Sequence, residues 1–185
     1  MSFSANSIFT LFITIVLFLA SSCNTHSLRS EVLIASGLGI FRSVNFDMDI
    51  ESVKKLESAP LVNSTENYLR YEINKINNTN EYAEIEYHFS KERLDLITVY
   101  YSAEKIKDIE ALFQEMIVYF TEKYDNPASD DSGWKRWEFE DKEGIPGTIE
   151  IMMKQESVND IFSLDIEMVK YYTDERKSAS VGGRN

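Results

Sequence analysis

From residue 47 to residue 172 the chain writes one pattern twice: an apolar stripe at helical spacing, then three stretches in which every second side chain is apolar. A helix repeats every 3.6 residues and a strand every 2, so the change of period dictates different elements in a fixed order. In Asp49 to Glu57, Ile50, Val53 and Leu56 share a helical face. Asp47 or Asp49 can cap its start, because a carboxylate accepts the free N–H groups of a first turn. Pro60 bars its continuation. Three alternating stretches follow. Tyr68 to Ile76 puts Leu69, Tyr71 and Ile73 on one side, Glu81 to Ser90 puts Ala83, Ile85, Tyr87 and Phe89 there, and Leu94 to Tyr101 puts Ile97, Val99 and Tyr101 there. The polar connections at 77–80 and 90–93 predict an antiparallel meander.

The second copy opens with a longer helix, Ala103 to Tyr124, with Ser102 as its cap. Its face is Ile106, Ile109, Leu112, Phe113, Met116 and Phe120, and Pro127 closes it. Three strands follow, lined by Trp137 and Phe139, by Ile149, Ile151 and Met153, and by Phe162, Leu164, Ile166 and Met168. The expected fold class is α+β: two tandem α-β-β-β units, about 47–101 and 102–172, giving about six antiparallel strands with two helices on one face. Residues 40–173 are read as the single domain, with Phe41 to Phe46 as a candidate further edge strand.

The ends of the chain read differently. Residues 1–22 carry no charged side chain, and Ile8 to Ala20 is apolar but for two threonines. That is short for a membrane span, which needs about 20 residues, and fits the apolar core of a signal peptide. Cys23 is the chain's single cysteine, so no internal disulfide or thiolate metal site can form. Leu19-Ala20-Ser21-Ser22-Cys23 resembles a bacterial lipobox, with Ala20 where leucine is commonest. The resemblance implies cleavage before Cys23, acylation of its thiol and amino group, and attachment to a membrane of the bacterial cell envelope. Residues 23–39 are then the lipidated start and a tether, in which Val32-Leu33-Ile34 can add a short strand. Residues 174–185, small, polar and Gly-rich, are expected to be a disordered tail.

A second resemblance rests on element order and two short motifs. The repeated helix and antiparallel strands are similar to the tandem modules of beta-lactamase inhibitory proteins and to the single modules of small outer-membrane assembly lipoproteins. Phe46-Asp47-Met48-Asp49-Ile50-Glu51-Ser52-Val53 is similar to the entry of their first helix, and Lys123-Tyr124-Asp125-Asn126-Pro127 to a helix exit in related bacterial lipoproteins. Asp47 and Asp125 stand where that family has glycine. The resemblance implies a protein-binding or scaffold role.

The residues themselves offer little catalytic chemistry. The two histidines, His26 and His88, share no ligand spacing with each other or with a carboxylate pair. Asp125 to Asp131 has the composition of a calcium loop but lacks its glycine and terminal glutamate. No phosphate-binding glycine loop or nucleophile elbow occurs. No cofactor or metal is implied and the expectation is not an enzyme. A net charge of −12 repels nucleic acid. What remains is the sheet face away from the helices, carrying Arg70, Glu72, Glu84, Glu86, His88, Arg136, Glu138, Glu150, Asp165 and Glu167. A plain solvated face is one reading. The functional reading is a docking surface for an envelope protein with a basic surface, formed by Glu84, Glu86, His88, Arg136 and Glu138, of which the three glutamates are expected to point to water, with Trp134 as an exposed anchor. The alternative is a small-ligand pocket between sheet and helices, lined by Tyr87, Tyr101, Phe113 and Trp137.

Overall fold

The computed structural model describes Leu33 and residues 39–76, 79–129, 131–142 and 144–173. The signal peptide at 1–22, Cys23, the turn residues 77–78 and the tail at 174–185 lie outside the described residues.

Among the described residues the chain forms two helices and one sheet. Helix α1 (Ile50–Leu56) precedes β1 (Leu61–Ser64), β2 (Tyr68–Ile76), β3 (Glu81–Ser90) and β4 (Arg93–Ala103). Helix α2 (Ile106–Tyr124) precedes β5 (Ala128–Ser129), β6 (Lys135–Glu140), β7 (Gly147–Val158) and β8 (Ile161–Tyr172). The sheet order is β1-β2-β3-β4-β8-β7-β6-β5, and every pair is antiparallel. The sheet therefore has eight strands, not about six. The two additions are its edges. All four residues of β1 and both of β5 are exposed. An edge strand that buries neither face has no reason to alternate, so its sequence carries no strand signal.

Alternation placed the inner face correctly. Leu69, Tyr71, Ala83, Ile85, Tyr87, Ile97, Val99, Tyr101, Trp137, Ile151, Met153, Leu164, Ile166 and Met168 join one buried cluster with Val53 of α1 and Ile109, Leu112, Phe113, Met116 and Phe120 of α2. Tyr87, Tyr101, Phe113 and Trp137 are thus buried in the core, with at most 7 % of their surface exposed. Leu33 is fully buried in the same cluster, and Lys123 donates to the Gly39 carbonyl at 2.7 Å. Leu33 and Gly39 are the described residues of the expected tether, 23–39. Phe41 and Val44 form a single bridge around a tight turn and not an edge strand.

Asp49 caps α1, accepting from the Ser52 N–H at 2.7 Å. The cap expected at Ser102 is absent. Strand β4 runs on through Ser102 and Ala103, which pair with Ser163 and Phe162 of β8, and α2 starts at Ile106 after Lys105, without a side-chain cap. Two more rungs on the neighbouring strand outcompete one capping bond at that point.

The last two strands of each half match in register. The β3–β4 turn at Lys91 and Glu92 and the β7–β8 turn at Asn159 and Asp160 lie 68 positions apart, and all four residues have φ between 52° and 65°. The same offset carries Ala83 to Ile151 and Ile85 to Met153, while β2 and β6 are related by 64, since Ile73 faces Ala83 and Trp137 faces Ile151. Asp95 bulges from β4, because His88 pairs with Leu96 and Phe89 with Leu94. Beyond it the offset is one shorter, carrying Val99 to Ile166, and these two residues are cross-strand partners. A local two-fold relation between the halves therefore passes through the Val99–Ile166 pair, at the seam of β4 and β8.

Candidate functional site

The side chains that alternate outward from the sheet form the uncovered face. Its charges are organised by register. Glu72 lies opposite Glu84 and Arg70 opposite Glu86. The Arg70 guanidinium bridges Glu72 at 2.6 Å and Glu84 at 2.8 Å, which relieves the like-charge pair. The Tyr82 hydroxyl donates to Glu84 at 2.7 Å. Glu86 accepts from the Tyr68 hydroxyl and from Thr98 Oγ1 at 3.2 Å, and His88 Nε2 lies 3.3 Å from it. Burial pushes the Glu86 carboxyl up, and the bonds from Tyr68, His88 and Thr98 outweigh it, so it sits below its ordinary value. The His88 ring leans on Tyr68 with centroids 5.0 Å apart.

On the other half Glu138 lies opposite Glu150, and Arg136 Nε reaches Glu150 at 2.8 Å. Arg136 and Glu138 are exposed as expected. Glu84 and Glu86 are not: only 23 % and 25 % of their side chains is open to water. Their hydrogen bonds fold them down onto the strands, so they are structural members of the face as well as charges on it. Trp134 is half-buried and not fully exposed. The Lys154 ammonium lies 5.8 Å from its ring centre.

Trp134 reaches the seam. There a recess of about 260 Å³ is lined by Glu84, Glu86, Asp165 and Glu167, by Thr98, and by Tyr100 and Trp134. Its floor is the Val99–Ile166 pair on the two-fold relation, which carries Thr98 to Asp165 and Tyr100 to Glu167. Asp165 Oδ1 is buried there with no hydrogen-bond partner. Burial, and then the nearby Glu156, hold the Asp165 carboxyl above its ordinary value. Sequence reasoning named the four acids and Trp134 but missed Thr98 and Tyr100. The signal was present, since both alternate with the inward Ile97, Val99 and Tyr101.

A second, larger concavity of about 1010 Å³ lies at the end of α2, between the 39–48 segment and β6 and β7. Phe46, Met48, Tyr124, Phe139 and Ile149 give it apolar walls. Its polar groups are largely spoken for. Lys170 Nζ, wholly buried, lies 2.5 Å from Asp47 and 2.6 Å from Asp141. Asp47 also accepts from the Tyr172 hydroxyl and the Ile145 N–H, both at 2.8 Å. Among the described residues no group of three or more His, Cys, Asp or Glu side chains is placed to hold a metal ion. No helix among them is long and apolar enough to cross a membrane.

The chain matches no protein-family model, and no curated protein and no solved structure matches it significantly.

Proposed function

We propose that this chain is a lipid-anchored protein of the bacterial cell envelope, built as two tandem helix-plus-strand units, whose uncovered sheet face docks a second protein with a basic surface. The observation that carries the docking role is the asymmetry of the sheet. One face is sealed by helices, while the other presents four carboxylates and two aromatic rings around a recess at the seam. Rigid strands hold these groups in place before any partner arrives, which lowers the ordering cost of association. The lipidation at Cys23 rests on the lipobox resemblance. The reading is of binding, with His88 set against Glu86 and leaning on Tyr68 as part of the face.

The docking role is tested with the full chain. Capture from bacterial envelope extracts identifies a partner, and association is then measured between purified components. Glu138→Lys with Glu167→Lys is expected to slow association and flatten its salt dependence, because encounter is steered by long-range charge. Unchanged association at every ionic strength would leave the face a solvated surface. Palmitate incorporation in the wild type and its loss in Cys23→Ser test the anchor.

The larger concavity favours a second reading, a small-ligand module. Its volume is at the upper end of ligand sites, which span about 300–1,000 Å³. It ranks second because Asp47, Asp141 and Lys170 already satisfy one another.

A further inference from the structure

The recess at the seam differs from the rest of the acidic face in what it lacks. Among the described residues no lysine or arginine lines it. Arg70, the nearest guanidinium on the first half, is spent on Glu72 and Glu84, and Arg136 on Glu150. Lys154 is held by Glu156 at 2.7 Å. Of the carboxylates described above, Glu72, Glu84 and Glu150 meet a guanidinium and Glu86 meets two hydroxyls. At the seam Asp165 Oδ1 is buried without a donor. A buried acceptor without a donor is costly, and a docking partner that supplies one recovers that cost.

We propose that this recess is the seat of one arginine side chain presented by the docked protein, between the Trp134 and Tyr100 rings and the carboxylates of Asp165 and Glu167. The proposal rests on the docking role of the uncovered face and names the group that the face selects. Size, charge and shape argue together. At about 260 Å³ the recess is smaller than ordinary ligand sites of about 300–1,000 Å³, and it suits one long side chain. Glu84 already meets Arg70 and Glu86 two hydroxyls, so the charge that favours a cation is that of Asp165 and Glu167. Its two rings favour a planar one, because a guanidinium stacks on an aromatic face while forking hydrogen bonds to carboxylates, and an ammonium does not. The floor is a paired rung of two central strands, so the seat is rigid. Its place on the two-fold relation puts it at the middle of the face, where binding energy concentrates in protein interfaces.

The test titrates the isotopically labelled full chain with acetyl-arginine methylamide at constant ionic strength. The indole N–H of Trp134 and the amides of Val99 and Ile166 are followed by NMR. Acetyl-citrulline methylamide, of the same shape without charge, and acetyl-lysine methylamide are the controls. Saturable shifts with the arginine probe, weaker ones with lysine and none with citrulline are expected. Asp165→Asn with Glu167→Gln is expected to weaken arginine binding roughly tenfold or more, the loss that follows removal of charged hydrogen-bond partners. Glu138→Gln, away from the recess, is expected to leave it unchanged. Should the double variant fold poorly, Trp134→Leu is expected to weaken binding while keeping the acids. Equal shifts from citrulline, equal binding of lysine and arginine, or full affinity in both recess variants would each overturn the proposal. If the purified partner still associates with the wild-type face with normal salt dependence while these probes fail, the docking role stands and the arginine seat falls. If the probes bind as expected while Glu138→Lys with Glu167→Lys leaves partner association unchanged at every ionic strength, the docking role falls although the recess takes a free guanidinium.

Discussion

The two halves share a plan but are sealed by different physics. In the second half α2 runs 19 residues and buries five apolar side chains. Phe120 packs on Trp137 with centroids 5.3 Å apart, and Tyr124 stacks on Phe139 at 4.1 Å. In the first half α1 runs seven residues and only Val53 is buried. At the end of α1, beside a core that also takes in Phe41, Val44 and Phe46, lies a buried ion pair. Arg42 meets Glu57 at 2.8 Å with 5 % and 0 % of the two side chains exposed. The Tyr87 hydroxyl and the Ala59 N–H complete the shell of Glu57. Apolar packing tolerates the loss of one contact gradually. A buried ion pair does not, because removing one partner strands the other as an uncompensated charge.

The largest expected effect follows directly. Arg42→Met should destabilise the fold by about 3–5 kcal/mol, read by urea unfolding, and adding Glu57→Gln should recover much of that loss. Loss of stability in Arg42→Met no greater than for an exposed arginine would erase the contrast between the halves. The same pair gives the first half an acid sensitivity. Burial pushes the Glu57 carboxyl up, and Arg42 with the Ala59 N–H and Tyr87 bonds holds it below its ordinary 4.5. A group depressed in the folded state adds stability in full above its unfolded value and loses it as pH falls through the folded value. Urea midpoints should therefore fall as pH drops below about 4.5, with a shallower fall in Glu57→Gln. Amide exchange should show β2 and β3 opening before β6 and β7.

Two aspartates at one backbone angle sharpen the comparison. Asp47 and Asp125 both have φ of 67°. Asp47 ties the start of the first half to Lys170 and Tyr172 at the end of the second. Asp47→Gly should relieve backbone strain yet cost about 2–3 kcal/mol net by stranding those donors. Asp125 has ψ of −170°, a conformation almost confined to glycine, and its carbonyl is held by the Trp137 indole N–H at 3.1 Å. Asp125→Gly should stabilise by about 1–2 kcal/mol, read as a raised urea midpoint. The smallest effect concerns the hairpins. Replacing Lys91-Glu92 with Asn-Gly should stabilise by about 1 kcal/mol, since this turn needs φ above zero at both positions. The same exchange at Asn159-Asp160, residues already suited to that turn, should gain less.

Much of this was legible in the chain, because it depends on local period. The inward set of β2 to β4 and of β6 to β8, the acids of the open face and the cap at Asp49 all follow from alternation and turn chemistry. The edge strands were illegible because exposure on both faces removes the alternation. The recess was only half legible. Glu84, Glu86, Asp165, Glu167 and Trp134 could be placed on one face, but their meeting at one point requires β4 to pair with β8, and no residue spacing announces that partner. The knot of Asp47 with Lys170 was hidden for the same reason, being 123 positions apart. Alternation alone marks Glu84 and Glu86 as solvent-facing charges, because sequence does not reveal that Arg70, Tyr68 and Thr98 bend them down.

The seam also sets an order of assembly in time. Apart from that rung, every strand pair in the sheet joins chain neighbours, so each meander can zip as soon as its turns form. The β4–β8 pairing must wait until α2 and three strands have been made, and its closure carries the chain-entropy cost of that long loop. Until then each meander exposes an unpaired edge to other chains as readily as to its own second half. Refolding is accordingly expected to slow most on Val99→Ala or Ile166→Ala at the seam and least on Val62→Ala at the outer edge, measured by stopped-flow Trp fluorescence. Dilution of the refolding chain is expected to raise the yield of monomer.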